Sequence, residues 1–376
     1  MSIAFRSSPR PTLGVEWELA LVDAATGDLV PLADDVLTAL GDDPKVKKEL
    51  LVNTVEAVTG VCETVGEAVA DLDATVHRLR AVAEPMGVEL FSAGTHPFAR
   101  WEDQEVSEGD RYATLIDRTR WWGRQMVIYG VHVHVGVSSA AKVLPIVSSL
   151  LTWYPHLQAL SASSPFWGGQ DTGYASNRAL LFQQLPTAGL PFHFAQWSEY
   201  TSYVDDLLTT GVIDGLSDIR WDVRPSPQLG TVEVRVCDGL PTLREVAALT
   251  ALTHCLVVDL DRRLDDGDTL PVMPPWHVQE NKWRSARYGL EAIVILDAAS
   301  RERLVTEDLD DLLERLEPVA RRLDCVDELR SVADIPRVGA SYQRQRAVAA
   351  GGDLRDVVRS VVDELRGPAD ASGRAS

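Results

Sequence analysis

Three short segments, far apart in the chain, alternate apolar residues with acidic, imidazole or guanidinium side chains. They are Val15–Leu19 (VEWEL), Val131–Val135 (VHVHV) and Val232–Val236 (VEVRV). Successive side chains of a β-strand point to opposite faces, so each segment predicts a strand with one apolar and one functional face. If the strands share a sheet, three carboxylates, two imidazoles and one guanidinium lie on the same surface. Such a set suits divalent cations and phosphate, because carboxylate oxygens satisfy Mg²⁺ and arginine pairs bidentately with phosphate.

Each functional pair also has a purely structural interpretation. The residues concerned are Glu16, Glu18, His132, His134, Glu233 and Arg235. Two carboxylates at positions i and i+2 repel each other, which a strand tolerates on a wet surface or around a cation. Alternating imidazoles can be ordinary core or surface residues, or can complete a magnesium or manganese shell and donate to a phosphate. An acid next to an arginine can be a simple ion pair, or a cation ligand beside a phosphate contact. The repetition of one design in three strands favours the site.

A basic cluster in a segment with helical spacing is a further candidate. Arg284 and Arg287 are three positions apart and therefore share one helix face. In so acidic a chain this cluster can cradle a polyphosphate, and the alternative is an exposed helix with ion pairs to Glu280. The sequence has no GxxxxGK[ST] loop and no GxGxxG fingerprint after a strand, which disfavours P-loop and Rossmann nucleotide binding.

The net charge and the apolar content of the chain exclude some classes of binding partner. Its 376 residues carry a formal net charge of −20. Nucleic acids and anionic membranes repel such a protein, so neither is expected as a partner. No apolar run approaches the roughly 18 residues that a membrane span needs, and residues 1–11 contain no apolar signal core. We therefore expect a cytoplasmic protein, in which small anionic substrates can still bind where basic residues and cations are locally concentrated.

The four cysteines are widely spaced and form no CxxC pair. This pattern predicts reduced, partly buried thiols rather than a zinc site or a disulfide framework. Strict alternation in the third segment places Cys237 on the same face as Glu233 and Arg235, where a small buried residue is expected.

Strands and helices do not alternate in a βαβ rhythm along the chain. Helical spacing is found, for example, in Asp110–Ile128 and Leu243–Leu264. The arrangement predicts an α+β fold built on an antiparallel or mixed sheet. The irregular segment Ser161–Phe194, rich in glycine, serine and aromatic residues, is typical of a binding loop or lid, and we expect it to close the site. Residues 1–11 and 366–376 predict a flexible leader and a disordered tail.

Three longer stretches, together with the alternating segments, resemble the glutamate–cysteine ligase type 2 family. They are Ala159–Arg178 (ALSASSPFWGGQDTGYASNR), Gln183–Pro191 (QQLPTAGLP) and Gln279–Leu290 (QENKWRSARYGL). The members of this family are carboxylate–amine ligases related in fold to glutamine synthetase and the guanidino kinases. The resemblance implies a curved, largely antiparallel sheet with flanking helices, whose concave face forms the active site. It further implies a single ATP-dependent ligase domain over residues 12–365.

The resemblance also assigns roles to individual residues of this chain. The implied metal ligands are Glu16, Glu18, Glu56, His132 and Glu233. Glu56 is added by the resemblance alone. His134 is implied as a phosphate or substrate contact and Arg235 as the contact of the transferred phosphoryl group, and these two are the catalytic candidates. They are also the candidate contacts of ATP, together with Arg284 and Arg287, and the implied cation is Mg²⁺ or Mn²⁺.

The implied reaction joins the γ-carboxylate of L-glutamate to the amine of L-cysteine. ATP first phosphorylates the carboxylate to γ-glutamyl phosphate, and the amine then displaces phosphate. Two alternatives stay open at this point. One is a ligase for another acid and amine, or a related phosphotransferase, and the other is a catalytically weak protein that binds nucleotide or amino acid. All expected partners are small molecules, and the sequence leaves open whether the chain forms a homo-oligomer.

Overall fold

The computed structural model describes residues 3–41 and 43–367. The strands are β1 (Leu13–Asp23), β2 (Val46–Lys48), β3 (Thr54–Val58), β4 (Val88–Phe91), β5 (Gly130–Gly136), β6 (Phe166–Trp167), β7 (Gln170–Asp171), β8 (Val223–Ser226), β9 (Thr231–Asp238), β10 (Ile293–Ile295) and β11 (Glu302–Leu304). The helices are α1 (Ala33–Leu40), α2 (Val65–Ala83), α3 (Asp110–Thr119), α4 (Trp121–Arg124), α5 (Ala140–Leu150), α6 (Tyr154–Ser161), α7 (Arg178–Phe182), α8 (Trp197–Thr209), α9 (Leu243–Asp265), α10 (Pro275–Tyr288), α11 (Val305–Arg322), α12 (Val326–Ser331), α13 (Asp334–Val338), α14 (Ser341–Gly351) and α15 (Leu354–Arg366).

A seven-stranded antiparallel sheet is the centre of the fold. Its strand order is β2-β3-β1-β5-β9-β8, and β4 pairs with the end of β1. The three alternating segments are β1, β5 and β9, which lie next to one another in the middle of the sheet. Pro225 lies in β8, a strand at the edge of the sheet, where a residue without an N–H group is tolerated. The architecture confirms the predicted α+β class with a largely antiparallel sheet.

The apolar residues of the three segments form one face of this sheet. Leu13, Val15 and Trp17 of β1 are buried in the largest hydrophobic cluster, together with the valines of β5 and β9. Helices α2, α6 and α9 pack against these strands. The Trp17 indole N–H donates to Ser92 Oγ at 2.9 Å, so its burial leaves no donor unsatisfied. Removing this apolar face from water stabilises the sheet by about 1.5–3 kcal/mol for each large side chain.

The opposite face of β1 carries apolar residues in one half and glutamates in the other. Towards the end of the strand, Ala20 and Val22 pack in a second cluster that includes Val358 and Val361 of α15. The earlier residues of the same face are the glutamates, which no helix of that cluster covers. The polar groups are therefore confined to one half of this face.

A β-bulge changes the alternation within β9. Val131 of β5 pairs with Cys237, but Val133 pairs with Val234, so one residue of β5 faces two residues of β9. Cys237 consequently lies in the hydrophobic core and not beside the functional pair of β9, which corrects the expectation from strict alternation. The bulge reverses the side-chain direction after Arg235.

Several boundaries differ from the sequence prediction. The expected helix over Asp110–Ile128 divides into α3 and α4 at Arg120, which has a φ of 49°. The described part of the predicted leader, residues 3–11, lies against the domain, where the Arg6 N–H donates to Pro227 O at 3.0 Å. Most of the predicted tail, residues 368–376, lies outside the described residues. Within the described ranges, none of the helices combines the length and apolar composition that a bilayer crossing requires.

Candidate active site

The register of the sheet brings together one carboxylate from β1, one from β9 and both histidines of β5. Glu16 lies opposite His132, and His134 lies opposite Glu233. Glu16 Oε2 is 3.0 Å from His132 Nδ1, and its other oxygen is 3.3 Å from His134 Nε2. The same His134 nitrogen is 3.8 Å from Glu233 Oε2. Although burial raises the pKa of Glu16, the adjacent imidazoles of His132 and His134 hold that pKa well below its usual range.

A second group of carboxylates adjoins the first. Glu18 of β1 lies opposite Glu56 of β3, and Glu49 comes close to both from the loop before β3. Burial, followed by the charges of neighbouring glutamates, raises the pKa of Glu56 well above its usual range. Burial and the charge of Glu18 raise the pKa of Glu49 to about 7. Carboxylates that are buried close together behave in this way, because like charges at short range cannot all remain ionised unless a cation balances them. Sequence reasoning missed Glu49, which no alternating pattern marks.

Two arginines balance the charge of Glu233. Arg224 of β8 donates to both of its oxygens, with distances of 2.7 and 3.2 Å, and Arg235 donates to one of them. Burial raises the pKa of the Glu233 carboxyl, but the two guanidinium groups and His134 lower it far more. The Glu233–Arg235 ion pair expected from the sequence is therefore present. Sequence reasoning missed Arg224, which follows no alternating pattern.

Arg178 reaches the same site from the start of α7. Its guanidinium lies 3.2 Å from His132 Nε2 and donates to the carbonyl of Arg235 at 2.9 Å. It passes over Gly130, where an added Cβ would fall inside the contact distance of three guanidinium atoms. The glycine therefore makes room for the arginine. Arg178 is the last residue of the ASNR motif, and that motif is the signal that could have identified it.

Most of these groups line one cavity of about 340 Å³, which we call the inner cavity; Glu233 and His134 are buried and are not among its lining residues. Its acidic and basic lining residues are Glu16, Glu18, Glu49, Glu56, Arg111, Arg178, Arg220, Arg224 and Arg235. His132 is also part of the lining, and Phe182 and Leu185 add apolar surface. The inner cavity thus combines carboxylates that attract cations with guanidinium groups that attract phosphate.

The structure places the basic cluster of α10 elsewhere. Arg284 pairs with Glu280 and with Glu302, which is the surface ion-pair alternative considered from the sequence. Arg287 donates to the Gly173 carbonyl and does not line the inner cavity either. Both arginines lie on one helix, as predicted, but their partners lie outside the inner cavity, so neither arginine enters our proposal for ATP binding.

The donor set fits a divalent cation. The groups whose ligand atoms lie within 4.8 Å of one another are Glu16, Glu56 and His132; Glu16, His134 and Glu233; and Glu18, Glu49 and Glu56. His134 Nε2 is buried without a hydrogen-bond partner and faces the carboxylates of Glu16 and Glu233. Nδ1 of the same ring lies 3.0 Å from Thr231 Oγ1. A ring held through one nitrogen, with the other free towards carboxylates, is typical of a metal ligand. Carboxylate and imidazole donors suit magnesium and manganese.

The irregular segment Ser161–Phe194 forms a wall of the site. Asp238, the last residue of β9, accepts hydrogen bonds from the hydroxyls of Ser164 and Ser176, at 2.7 and 2.9 Å, and all three residues are buried. These contacts fasten the segment to the sheet, and its α7 brings Phe182 to the inner cavity. The closing motion expected of this segment stays a prediction.

The fold is shared with a solved glutamate–cysteine ligase and a solved glutathione synthetase. The glutamate–cysteine ligase of Francisella tularensis, solved in complex with AMP, superposes with a TM-score of 0.67 at 14% identity, over 97% of this chain and 90% of that one. A bifunctional glutathione synthetase from Pasteurella multocida gives 0.70 at 14% identity, over 97% of this chain and 53% of that one. At such identities the likeness concerns the fold.

Fold and sequence together define a ligase. The family model described as glutamate–cysteine ligase family 2 (GCS2) matches residues 12–361, and the chain belongs to this family. Among curated relatives, "Putative glutamate–cysteine ligase 2" of Mycobacterium ulcerans is 66% identical over 365 residues, covering 96% of this chain and 93% of the relative. The protein of the same name from Mycobacterium tuberculosis (strain H37Rv) is 65% identical, with coverages of 96% and 97%. The predicted family and enzyme class are therefore confirmed.

Proposed function

We propose that this protein is an ATP-dependent ligase that joins the γ-carboxylate of L-glutamate to the amine of L-cysteine. The observation that carries the proposal is the inner cavity, where carboxylates, the His132 imidazole and guanidinium groups from five strands and α7 converge. Membership of the family supports the same reaction, and the AMP bound by the Francisella tularensis enzyme supports a nucleotide substrate.

In the first step an oxygen of the γ-carboxylate attacks the terminal phosphorus of ATP. The bond to the bridging oxygen breaks, ADP leaves and γ-glutamyl phosphate remains. Arg235 and Arg178, whose guanidinium groups face the same space, stabilise the negative charge that spreads over the transferred phosphoryl oxygens. Glu16 would hold Mg²⁺ or Mn²⁺ either with Glu56 and His132 or with His134 and Glu233, and the cation would neutralise phosphate charge.

In the second step the free amine attacks the carbonyl carbon, and phosphate leaves. A carboxylate resists this attack because its leaving group would be oxide, whereas phosphate is a good leaving group. The amine loses one proton when the amide forms. The main contribution of the protein is alignment, since two reactants held in a productive geometry gain a large effective concentration.

The test is a mass-spectrometric assay of the purified protein with ATP and MgCl₂. We expect ADP, phosphate and γ-glutamylcysteine only when glutamate and cysteine are both present, and loss of all three with Glu16→Gln. Glu314→Gln, on the exposed side of α11, is the matched control and should keep full activity. A product from another acid and amine would replace the proposed substrates, and accumulation of a phosphorylated acid would indicate a phosphotransferase. Stabilisation by ATP and magnesium without any ADP would favour a binding protein.

A further inference from the structure

The ring of Phe182 lies beside two guanidinium groups of the inner cavity. The guanidinium carbons of Arg178 and Arg235 are each 5.9 Å from the centre of this ring. In the part of the chain that the structure describes, no other aromatic ring has two guanidinium groups over it. Phe182 and Arg178 are four residues apart in α7 and therefore share one helix face. The face of an aromatic ring is negative, so it attracts cations at this distance.

These are the two arginines that our proposed function assigns to the transferred phosphoryl group. Arg178 is 3% exposed, and its guanidinium contacts His132 Nε2, the Arg235 carbonyl and the Phe182 ring, none of which is a carboxylate. Among the described residues, Arg178 and Arg235 are also the only arginines whose Nε–H is buried without a hydrogen-bond partner. Two like charges in a water-poor site repel each other. The ring offsets part of this repulsion and leaves hydrogen-bond donors free for a ligand.

Two other arginines of the inner cavity are held by carboxylates instead. Arg224 donates to both oxygens of Glu233, and Arg220 donates to Asp218 at 2.8 Å. A carboxylate occupies the donors of the guanidinium and would repel an incoming phosphate. A phenyl ring carries no net charge, so it holds a guanidinium in place without repelling a phosphate. Phe182 therefore suits a place beside arginines that must receive an anion.

We propose that Phe182 is a positioning residue, and that its ring holds the guanidinium groups of Arg178 and Arg235 in the orientation in which they contact the phosphates of the nucleotide. This inference rests on the proposed function, to which it adds a residue that acts through two others. Donors that are already oriented need no reorganisation when charge develops on the phosphoryl oxygens, so their positioning raises the rate. The same orientation strengthens the binding of a phosphate chain without any turnover.

The test changes the charge distribution of the ring and leaves its shape almost unchanged. Phe182 is replaced site-specifically, in the full-length protein, by phenylalanine that carries one, two or three fluorine atoms. Each fluorine withdraws electron density from the ring face and weakens its attraction for a cation. We expect the affinity for inorganic triphosphate with MgCl₂, measured by calorimetry, to fall stepwise and by roughly 5- to 30-fold with three fluorines. The value of kcat/KM for ATP should fall in parallel.

Phe98 offers a matched control outside the site. The guanidinium carbon of Arg355 also lies 5.9 Å from the centre of the Phe98 ring, and neither residue lines the inner cavity. The same fluorinated residues at Phe98 should leave the triphosphate affinity and kcat/KM unchanged. A purely structural role of Phe182 would give the same flat response at position 182, because the shape of the ring is kept.

The outcomes separate this inference from the proposed function. It is overturned if triphosphate does not bind, or if its affinity is independent of the number of fluorines. It is also overturned if only kcat/KM for ATP falls, because the ring would then contact the nucleoside, which triphosphate lacks. If the triphosphate affinity falls as expected but the wild type forms no amide from any acid and amine, the proposed ligase function fails and the positioning of the two arginines by Phe182 stands.

Discussion

His96 provides a test of how burial controls the stability of this fold. It is 1% exposed and follows β4, with its ring 5.4 Å from that of Phe91. Its Nε2 lies 2.9 Å from the Gly27 carbonyl, and its Nδ1 accepts the Ala99 N–H at 3.0 Å. One nitrogen must donate and the other must accept, which is the pattern of a neutral ring. A second proton would point at the Ala99 N–H.

Burial lowers the pKa of His96 from 6.5 to about 4, against a smaller opposing effect of the Gly27 carbonyl. Because the folded state binds the proton more weakly, the unfolded state is favoured as the pH falls below about 6.5. The loss of stability begins there and is complete near the folded pKa. At pH 5 it amounts to about 2 kcal/mol, and over the whole interval to roughly 3 kcal/mol, at 1.36 kcal/mol for each pKa unit.

The assay is thermal unfolding of the wild type and of His96→Asn at pH 7.5 and pH 5.0. Asparagine keeps an acceptor for the Ala99 N–H but does not titrate. A chain of 376 residues has an unfolding entropy of about 0.8 kcal/mol/K, so 2 kcal/mol corresponds to roughly 2–3 °C. We expect the wild type to lose this much more than the variant between the two pH values, whatever the variant's starting Tm. Equal losses in the two proteins would refute the reasoning.

Three further predictions concern buried charge. Without added metal, Glu56→Gln should keep or raise the Tm because it relieves repulsion among carboxylates. Glu233→Gln should instead lower the free energy of unfolding by about 3–5 kcal/mol, because two arginines lose their partner. Similar Tm shifts in the two variants would contradict this prediction. Gly130→Ala should displace the arginine that passes over it and lower kcat/KM by on the order of 100-fold, with a Tm close to that of the wild type; unchanged kinetics would remove that arginine from the site. Lys282, 2.7 Å from Asp222 in a buried pair, should be costly to replace by methionine, and Lys282→Met/Asp222→Asn should recover part of the loss in calorimetry.

Local sequence was sufficient to predict the faces of the central strands. A period of two residues follows from backbone geometry alone, so Val15-Glu16-Trp17-Glu18 had to separate its acids from its apolar residues. The structure brings these acids together with the imidazoles of β5, as the sequence predicted. Their roles as metal and phosphate ligands stay predictions that the assays above address.

The sequence could not predict contacts that depend on distant parts of the chain. Glu49 and Arg224 follow no periodic pattern, and they reach the site only because β3 and β8 pair at the required register. Arg284 shows the same dependence, because its helical spacing is as predicted but its partners come from its own helix and from β11. The position of a charged residue in the sequence does not show which group it pairs with in the folded chain.

What the sequence determined by itself was therefore the class of fold, the family and the polar face of each central strand. Only the tertiary structure decided which carboxylates share a cation-sized space, where the bulge turns Cys237 into the core, and which arginines pair with Glu233. The physical reason is the distance along the chain over which each effect acts. Side-chain alternation is fixed within a few bonds, whereas charge pairing and cavity shape depend on atoms that only the folded chain brings within a few ångströms.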